Sequence, residues 1–175
     1  MNAVADTLAA TTGAALEARA WAALAEVEDP EIPVLSIVDL GIIRHVRAGA
    51  DGGVEIGLAP TYSGCPATEV IRASVEAALG SAGLAPVAIR EVLSPPWTSD
   101  WISPAGRDKL ERYGIAPPAE SVSSPRQIGR VHVALNCPRC GSERTRELSR
   151  FGSTPCKALH RCDECFEPFE YFKCI

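Results

Sequence analysis

Cysteine is the residue with the most chemistry to offer in this 175-residue chain, and four of its seven copies fall into two matched pairs. Cys137-Pro138-Arg139-Cys140 and Cys162-Asp163-Glu164-Cys165 are C-x2-C units separated by 21 residues. Two intervening residues let both sulfurs of a unit face one ion, and two such units supply the four ligands of a closed tetrahedral site. Zinc fits that donor set, and so does iron of the rubredoxin or iron-sulfur type.

A fifth cysteine has a different setting. Thr61-Tyr62-Ser63-Gly64-Cys65-Pro66 places a thiol behind a glycine and ahead of an apolar-periodic stretch, so Cys65 is expected at the first turn of a helix. Unpaired amides and the positive end of a helix dipole stabilise a thiolate there. Gly64 leaves room for an approaching ligand, and Thr61 and Ser63 offer hydroxyls. Three roles remain open for Cys65: a nucleophile, a ligand to a soft metal or cluster, and a buried cysteine capping the helix.

Nucleophilic catalysis needs a general base within reach, usually histidine. Of the three histidines only His45 falls in the same expected domain, so a Cys/His hydrolase has little support. His45 is expected to face solvent from a strand, and His132 and His160 to lie on the surface or behind the four-cysteine site. Cys156 and Cys174 stand outside the pairs and read as small core residues, Cys156 also having the option of a spare ligand or transfer thiol. Asp29, Glu31 and Asp39 group around a proline turn, where capping explains them as well as metal or acid-base chemistry does. Trp97 and Trp101 fit either a partner patch or a cover over a sheet edge.

The elements that must hold these groups are readable from pattern. Leu16, Ala20, Leu24 and Val27 mark an amphipathic helix over 14–28, stopped by Asp29-Pro30-Glu31-Ile32-Pro33. Leu35 to Leu40 reads as a short buried segment closed by Gly41. Ile42 to Arg47 and Val54 to Ala59 flank a glycine-rich turn and predict a hairpin. Val70, Ile71, Val75, Ala78 and Leu79 predict a helix ending at Gly80 or Gly83, Val87 to Leu93 a third strand, and Ser103-Pro104 a helix through Tyr113 closed by Gly114.

These elements predict an α/β (α+β) domain over 14–114, one sheet with helices on one face. A proline- and serine-rich linker over 115–129 follows, then a β zinc ribbon over 130–175 with strands at Val131 to Leu135, Thr145 to Phe151 and Phe169 to Cys174.

Composition agrees with a folded chain, at 46% hydrophobic and 22% charged residues. No basic cluster precedes an apolar run at the N-terminus, and no stretch reaches the roughly 18 apolar residues of a membrane span. Cytoplasm is the expected compartment and no membrane partner is expected; reducing conditions favour metal or catalytic thiols over disulfides. Residues 130–175 hold eight Lys/Arg against six Asp/Glu, leaving nine against sixteen for 1–129. A tetrathiolate zinc site carries about two negative charges and offsets the tail's surplus, so no nucleic-acid partner is expected.

The order and separations of Asp29-Pro30-Glu31-Ile32-Pro33, Val38-Asp39-Leu40-Gly41 and Thr61-x-x-Gly64-Cys65-Pro66 carry a resemblance. This pattern resembles the iron-sulfur carrier assembly domain shared by SufT and the cytosolic iron-sulfur targeting factors. With the two C-x2-C units, Phe151-Gly152-Ser153-Thr154-Pro155-Cys156-Lys157 and Glu167-Pro168-Phe169-Glu170-Tyr171-Phe172-Lys173, nearly the whole chain resembles the PaaD (PaaJ) family. That family is the accessory component of the bacterial phenylacetyl-CoA epoxidase system.

The resemblance implies a non-catalytic role in assembling or inserting an iron-sulfur cluster, with the epoxidase's iron-sulfur reductase as client and the assembly machinery as a further partner. It implies that Cys65 holds a transient cluster or iron, in a site that includes Thr61 and Gly64, and leaves open whether Asp29 and Glu31 do more than shape their turn. One thiol cannot fill a cluster's coordination, so further ligands are expected from the second copy in a homodimer, a small thiol or Cys156. The alternative is a zinc-containing structural or docking component of the oxygenase.

Overall fold

The first helix ends at Ala25, ahead of residue 28 and of the Asp29-Pro30 stop expected from the sequence. The computed structural model describes residues 3–49, 51–62, 64–119 and 135–174, with side chains from Thr12 onward. The chain folds as two compact units, Met1–Trp97 and Thr98–Ile175.

In the first unit, helix α1 (Ala3–Ala25) starts well before residue 14, because the stretch ahead is alanine-rich and alanine is the best helix former. Ala20 and Leu24 are fully buried on its inner face, with Val27 just past its end. The chain then turns through 29–41 without regular structure, yet Leu35 and Ile37 are completely buried and tied back by Asp29 N to Leu35 O and Ile37 N to Val27 O.

Strands β1 (Ile43–Ala48) and β2 (Val54–Leu58) form the expected hairpin, with a bulge between Ile43 and His45. Helix α2 (Ala67–Ser81) crosses to β3 (Val87–Glu91), which pairs parallel to β2, giving a sheet of order β1-β2-β3. Ile71, Val75 and Leu79 are the buried stripe of α2. Val70 lies off that stripe and is 53% exposed, correcting its place on the apolar face.

Since β2 and β3 run the same way, their carboxyl ends share one edge of the sheet, and several segments meet there. Ala59 N donates to Ile42 O, Val92 N to Leu58 O, and the indole Nε1 of Trp97 to Leu40 O at 3.0 Å. Trp97 is thus a buried cover over that edge, with its one polar atom satisfied.

The second unit contains a 3-10 turn (Ser99–Trp101), helix α3 (Pro104–Tyr113), and strands β4 (Ile115–Ala116), β5 (Thr145–Ser149), β6 (Lys157–Cys162) and β7 (Pro168–Phe172). Ser103 caps α3 by accepting from Gly106 N, Pro104 opens it, and Gly114 closes it at φ 93°.

The sheet order is β4-β7-β6-β5. This moves two expected boundaries. The first compact unit ends at Trp97, ahead of the expected 114, and residues 115–116 of the expected linker form a strand: Ile115 pairs with Glu170 and Ala116 with Tyr171, parallel to β7. Both are buried, although they lead directly into Pro117-Pro118. The rest of the expected linker from residue 120, and the strand residues Val131 to Ala134 with His132, lie outside the described residues.

Candidate functional site

The second unit brings Cys137, Cys140, Cys162 and Cys165 together, with all four Sγ atoms within 4.8 Å of one another. Cys137 Sγ is 3.7 Å from Cys165 Sγ, and Cys140 Sγ is 3.6 Å from Cys162 Sγ. Zinc-sulfur bonds of about 2.3 Å in a tetrahedron place sulfurs roughly 3.8 Å apart, so the donor set fits a tetrahedral ion.

Each pair sits on a tight turn. Gly141, at φ 74°, lets the first return so that Gly141 N donates to Cys137 O and Cys137 N to Ser142 O. In the second, the amides of Glu164 and Cys165 point at Cys162 Sγ, at 3.4 and 3.5 Å. Ala116, Cys137, Cys162 and Phe169 form one buried cluster, so β4 packs against two of the four clustered cysteines.

Shared charge divides the thiols. The Cys165 amide does most to hold the Cys162 thiol below its ordinary value, with help from the neighbouring sulfurs and against burial. At Cys140 the Ser142 backbone lowers the pKa, but burial and the three other thiols outweigh it and push the group up to about 12. A cation at the centre removes this competition by favouring all four thiolates.

Cys65 is built differently. It lies in the β2-α2 connection, at the sheet edge where the carboxyl ends of β2 and β3 meet. It sits one residue ahead of the N-cap Pro66, not inside the first turn, and its carbonyl accepts from Thr68 N at 3.1 Å. Among the described residues no side chain caps α2, so the thiol is not spent on the helix end.

Cys65 N donates to Tyr62 O, closing the turn, and Gly64 adopts φ 85°. A Cβ at 64 would meet nothing within 4 Å, so glycine serves backbone conformation there and the space beside it is open. Cys65 and Thr61 are half-buried.

Asp29 and Glu31 lie on the turn after α1. Asp29 is buried, and its Oδ1 accepts from Glu31 N and Ile32 N, both at 2.9 Å. Asp39 Oδ2 likewise accepts from Ser36 N and Ser36 Oγ. These carboxylates organise backbone, as caps do.

The outlying residues correct three expectations. Cys156 is buried, 3.0 Å from Thr154 Oγ1, but Cys174 is exposed with Sγ 3.1 Å from Tyr171 OH, not a core residue. His160 is buried on the inner strand β6, stacked on Phe169 and edge-on to Tyr171, so of its two expected places the surface one is excluded. His45 does not simply face solvent: its ring covers Gly57 and its Nε2 is 3.4 Å from Glu55 Oε1.

Comparison with known proteins follows this division of the chain. Residues 17–92 match the family described as iron-sulfur cluster assembly protein, and residues 121–173 match the PaaD zinc beta ribbon domain. A protein of Escherichia coli, provisionally named as one of the subunits of 1,2-phenylacetyl-CoA epoxidase, is 49% identical over 155 residues, covering 89% of this chain and 91% of that one.

The chain belongs to the PaaD family. Within this PaaD chain, the assembly half alone is similar to an Fe-S protein maturation auxiliary factor of Porphyromonas gingivalis, 40% identical over 84 residues, or 46% of this chain and 76% of that one. The same half aligns with the crystal structure of a domain of unknown function, DUF59, from Bacillus anthracis. That alignment has a TM-score of 0.55 at 28% identity, covering 58% of this chain and 96% of the other.

The PaaD chain therefore joins an iron-sulfur assembly fold to a metal-binding four-cysteine ribbon. No helix among its described residues is long and apolar enough to cross a membrane.

Sequence reasoning missed a set of arginines around the ribbon. Arg139 bridges to Glu167, Arg144 to Glu164 and Arg146 to Asp163. The signal was there, since the second C-x2-C unit is acidic inside and the first arm is basic.

Proposed function

We propose that this chain is a non-catalytic cytoplasmic maturation factor that carries iron or a labile iron-sulfur cluster on Cys65 and delivers it within the phenylacetyl-CoA epoxidase system. The client is the system's iron-sulfur reductase, and the assembly machinery supplies the cargo. Zinc is the resident metal of Cys137, Cys140, Cys162 and Cys165, held for structure.

The contrast between the two thiol sites carries this reading. Four sulfurs close around one point in the ribbon, whereas Cys65 stands half-buried on an open glycine turn ahead of a helix. A closed tetrathiolate site retains its ion, while a single ligand releases it readily. Thr61 and Gly64 shape the cargo site, and Asp29 and Glu31 hold the turn after α1. The remaining cluster ligands come from a second copy or a small thiol, because Cys156 is buried against Thr154.

The test is metal analysis of anaerobically purified protein, followed by reconstitution with iron and sulfide. Wild type takes up iron and shows a cluster chromophore; Cys65→Ser loses both yet keeps one zinc. Equal iron uptake by the two proteins would sink the cargo role.

Exposed aromatics on the ribbon favour a second reading, a docking component that stays with the oxygenase. Phe151 is 67% and Phe166 64% exposed. Full epoxidase activity of a stoichiometric complex carrying Cys65→Ala would select it.

A further inference from the structure

Three ion pairs cross the four-cysteine site, and all have the same sense. Arg139 Nη1 lies 3.0 Å from Glu167 Oε1, Arg146 Nε 3.1 Å from Asp163 Oδ1, and Arg144 bridges to Glu164. Every cation belongs to the arm carrying Cys137 and Cys140, and every carboxylate to the arm carrying Cys162 and Cys165. Asp163 and Glu164 are the two residues between the second pair of ligands, and Glu167 follows them closely.

We infer that these pairs brace the two cysteine turns against each other and set how long the ribbon keeps its metal. The inference rests on the reading that the ribbon holds zinc. Its physical route runs through the second turn. Arg144 holds the side chain of Glu164, while Arg144 O accepts from Asp163 N at 2.7 Å, so the arm of Arg144 grips that turn twice. The backbone held at Asp163 and the side chain held at Glu164 adjoin the amides of Glu164 and Cys165, the two that point at Cys162 Sγ. Losing the grip frees those amides, and the sulfur they support becomes easier to detach from the ion.

All six side chains are solvent-exposed, so each pair taken singly contributes little. Three acting on one small loop act together, and their effect is sensitive to salt.

A simpler account makes the opposite prediction. A tetrathiolate zinc site carries about two negative charges, and if the arginines served only to offset them, removing the nearby carboxylates would strengthen retention. A brace requires that removing the carboxylates weaken it.

The experiment uses the full chain loaded with zinc, its metal content measured first, and follows release to a chromogenic zinc chelator at low and high salt. Asp163→Asn/Glu164→Gln/Glu167→Gln is expected to release zinc about threefold or more faster than wild type, with most of the salt dependence gone. Glu164→Arg alone also releases faster, and adding Arg144→Glu restores the wild-type rate. That rescue keeps the test decisive even if the triple variant folds poorly.

Release from the triple variant at the wild-type rate or slower overturns the brace, as does a charge swap that fails to rescue. A chain that carries no zinc at the outset overturns the metal reading itself, and the initial metal analysis separates that failure from the other two.

Discussion

Lys157 Nζ lies 2.8 Å from Glu170 Oε2, joining β6 to β7 with the lysine side chain only 4% exposed and the glutamate 23%. The other oxygen of Glu170 accepts from Ser153 N at 2.5 Å, so one carboxylate anchors both a buried ammonium and the loop that carries Cys156. Burial is the largest influence on Glu170 and raises its pKa, but the hydrogen bonds from Lys157 and Ser153 together outweigh it. The group is held below its ordinary 4.5.

A carboxyl depressed in the folded state contributes stability that is complete above its unfolded pKa and is lost as pH falls through the folded one. Glu170→Gln should therefore cost about 3 kcal/mol at pH 7, by leaving Lys157 buried without a counter-charge. The gap between variant and wild type should narrow below pH 4.5. Urea unfolding at pH 7 and pH 4 measures both, and an equal gap at the two values would rule the ion pair out as its source.

Asp29 offers a separate prediction, since its Oδ1 is the acceptor for two backbone amides. Asp29→Ala should lose about 1–2 kcal/mol, the usual cost of a missing cap. Asp29→Asn keeps an acceptor oxygen in the same place and should lose well under 1 kcal/mol, with iron uptake unchanged. If Asp29→Asn stays stable but no longer takes up iron, the carboxylate serves the cargo.

His45 and Gly57 are cross-strand partners, and a Cβ at 57 would overlap the imidazole ring. Gly57→Ala should cost about 1–3 kcal/mol, the range for overpacking, and much of that cost should vanish in a His45→Ala background. Thermal melts of the four proteins give the coupling directly. Additive effects would show that the glycine answers to something other than the ring.

What could be read from the residues in advance was mostly local chemistry. Ser103, Pro104 and Gly114 delimit α3 because caps act within a turn or two, and the C-x2-C spacing marks the metal site for the same reason. β6 stayed hidden because Lys157, His160 and Arg161 interrupt any apolar pattern. Lys157 and His160 are nonetheless buried, one by its pair with Glu170 and the other between Phe169 and Tyr171. Partners from distant sequence make those burials tolerable, and pattern alone contains no trace of them. The role of Cys65 is the least legible of all, because a thiol before a helix has several ordinary uses and only the whole-chain resemblance narrows them.

The two residues of β4 carry a practical consequence. They cover the open side of β7, and Ala116 packs into the cluster that surrounds Cys137 and Cys162. A fragment cut at residue 130, where the sequence pattern places the start of the ribbon, would present an unpaired strand edge beside a stripped hydrophobic face and would aggregate. The portable piece is Thr98–Ile175, and fusions or transplants of the ribbon should start there.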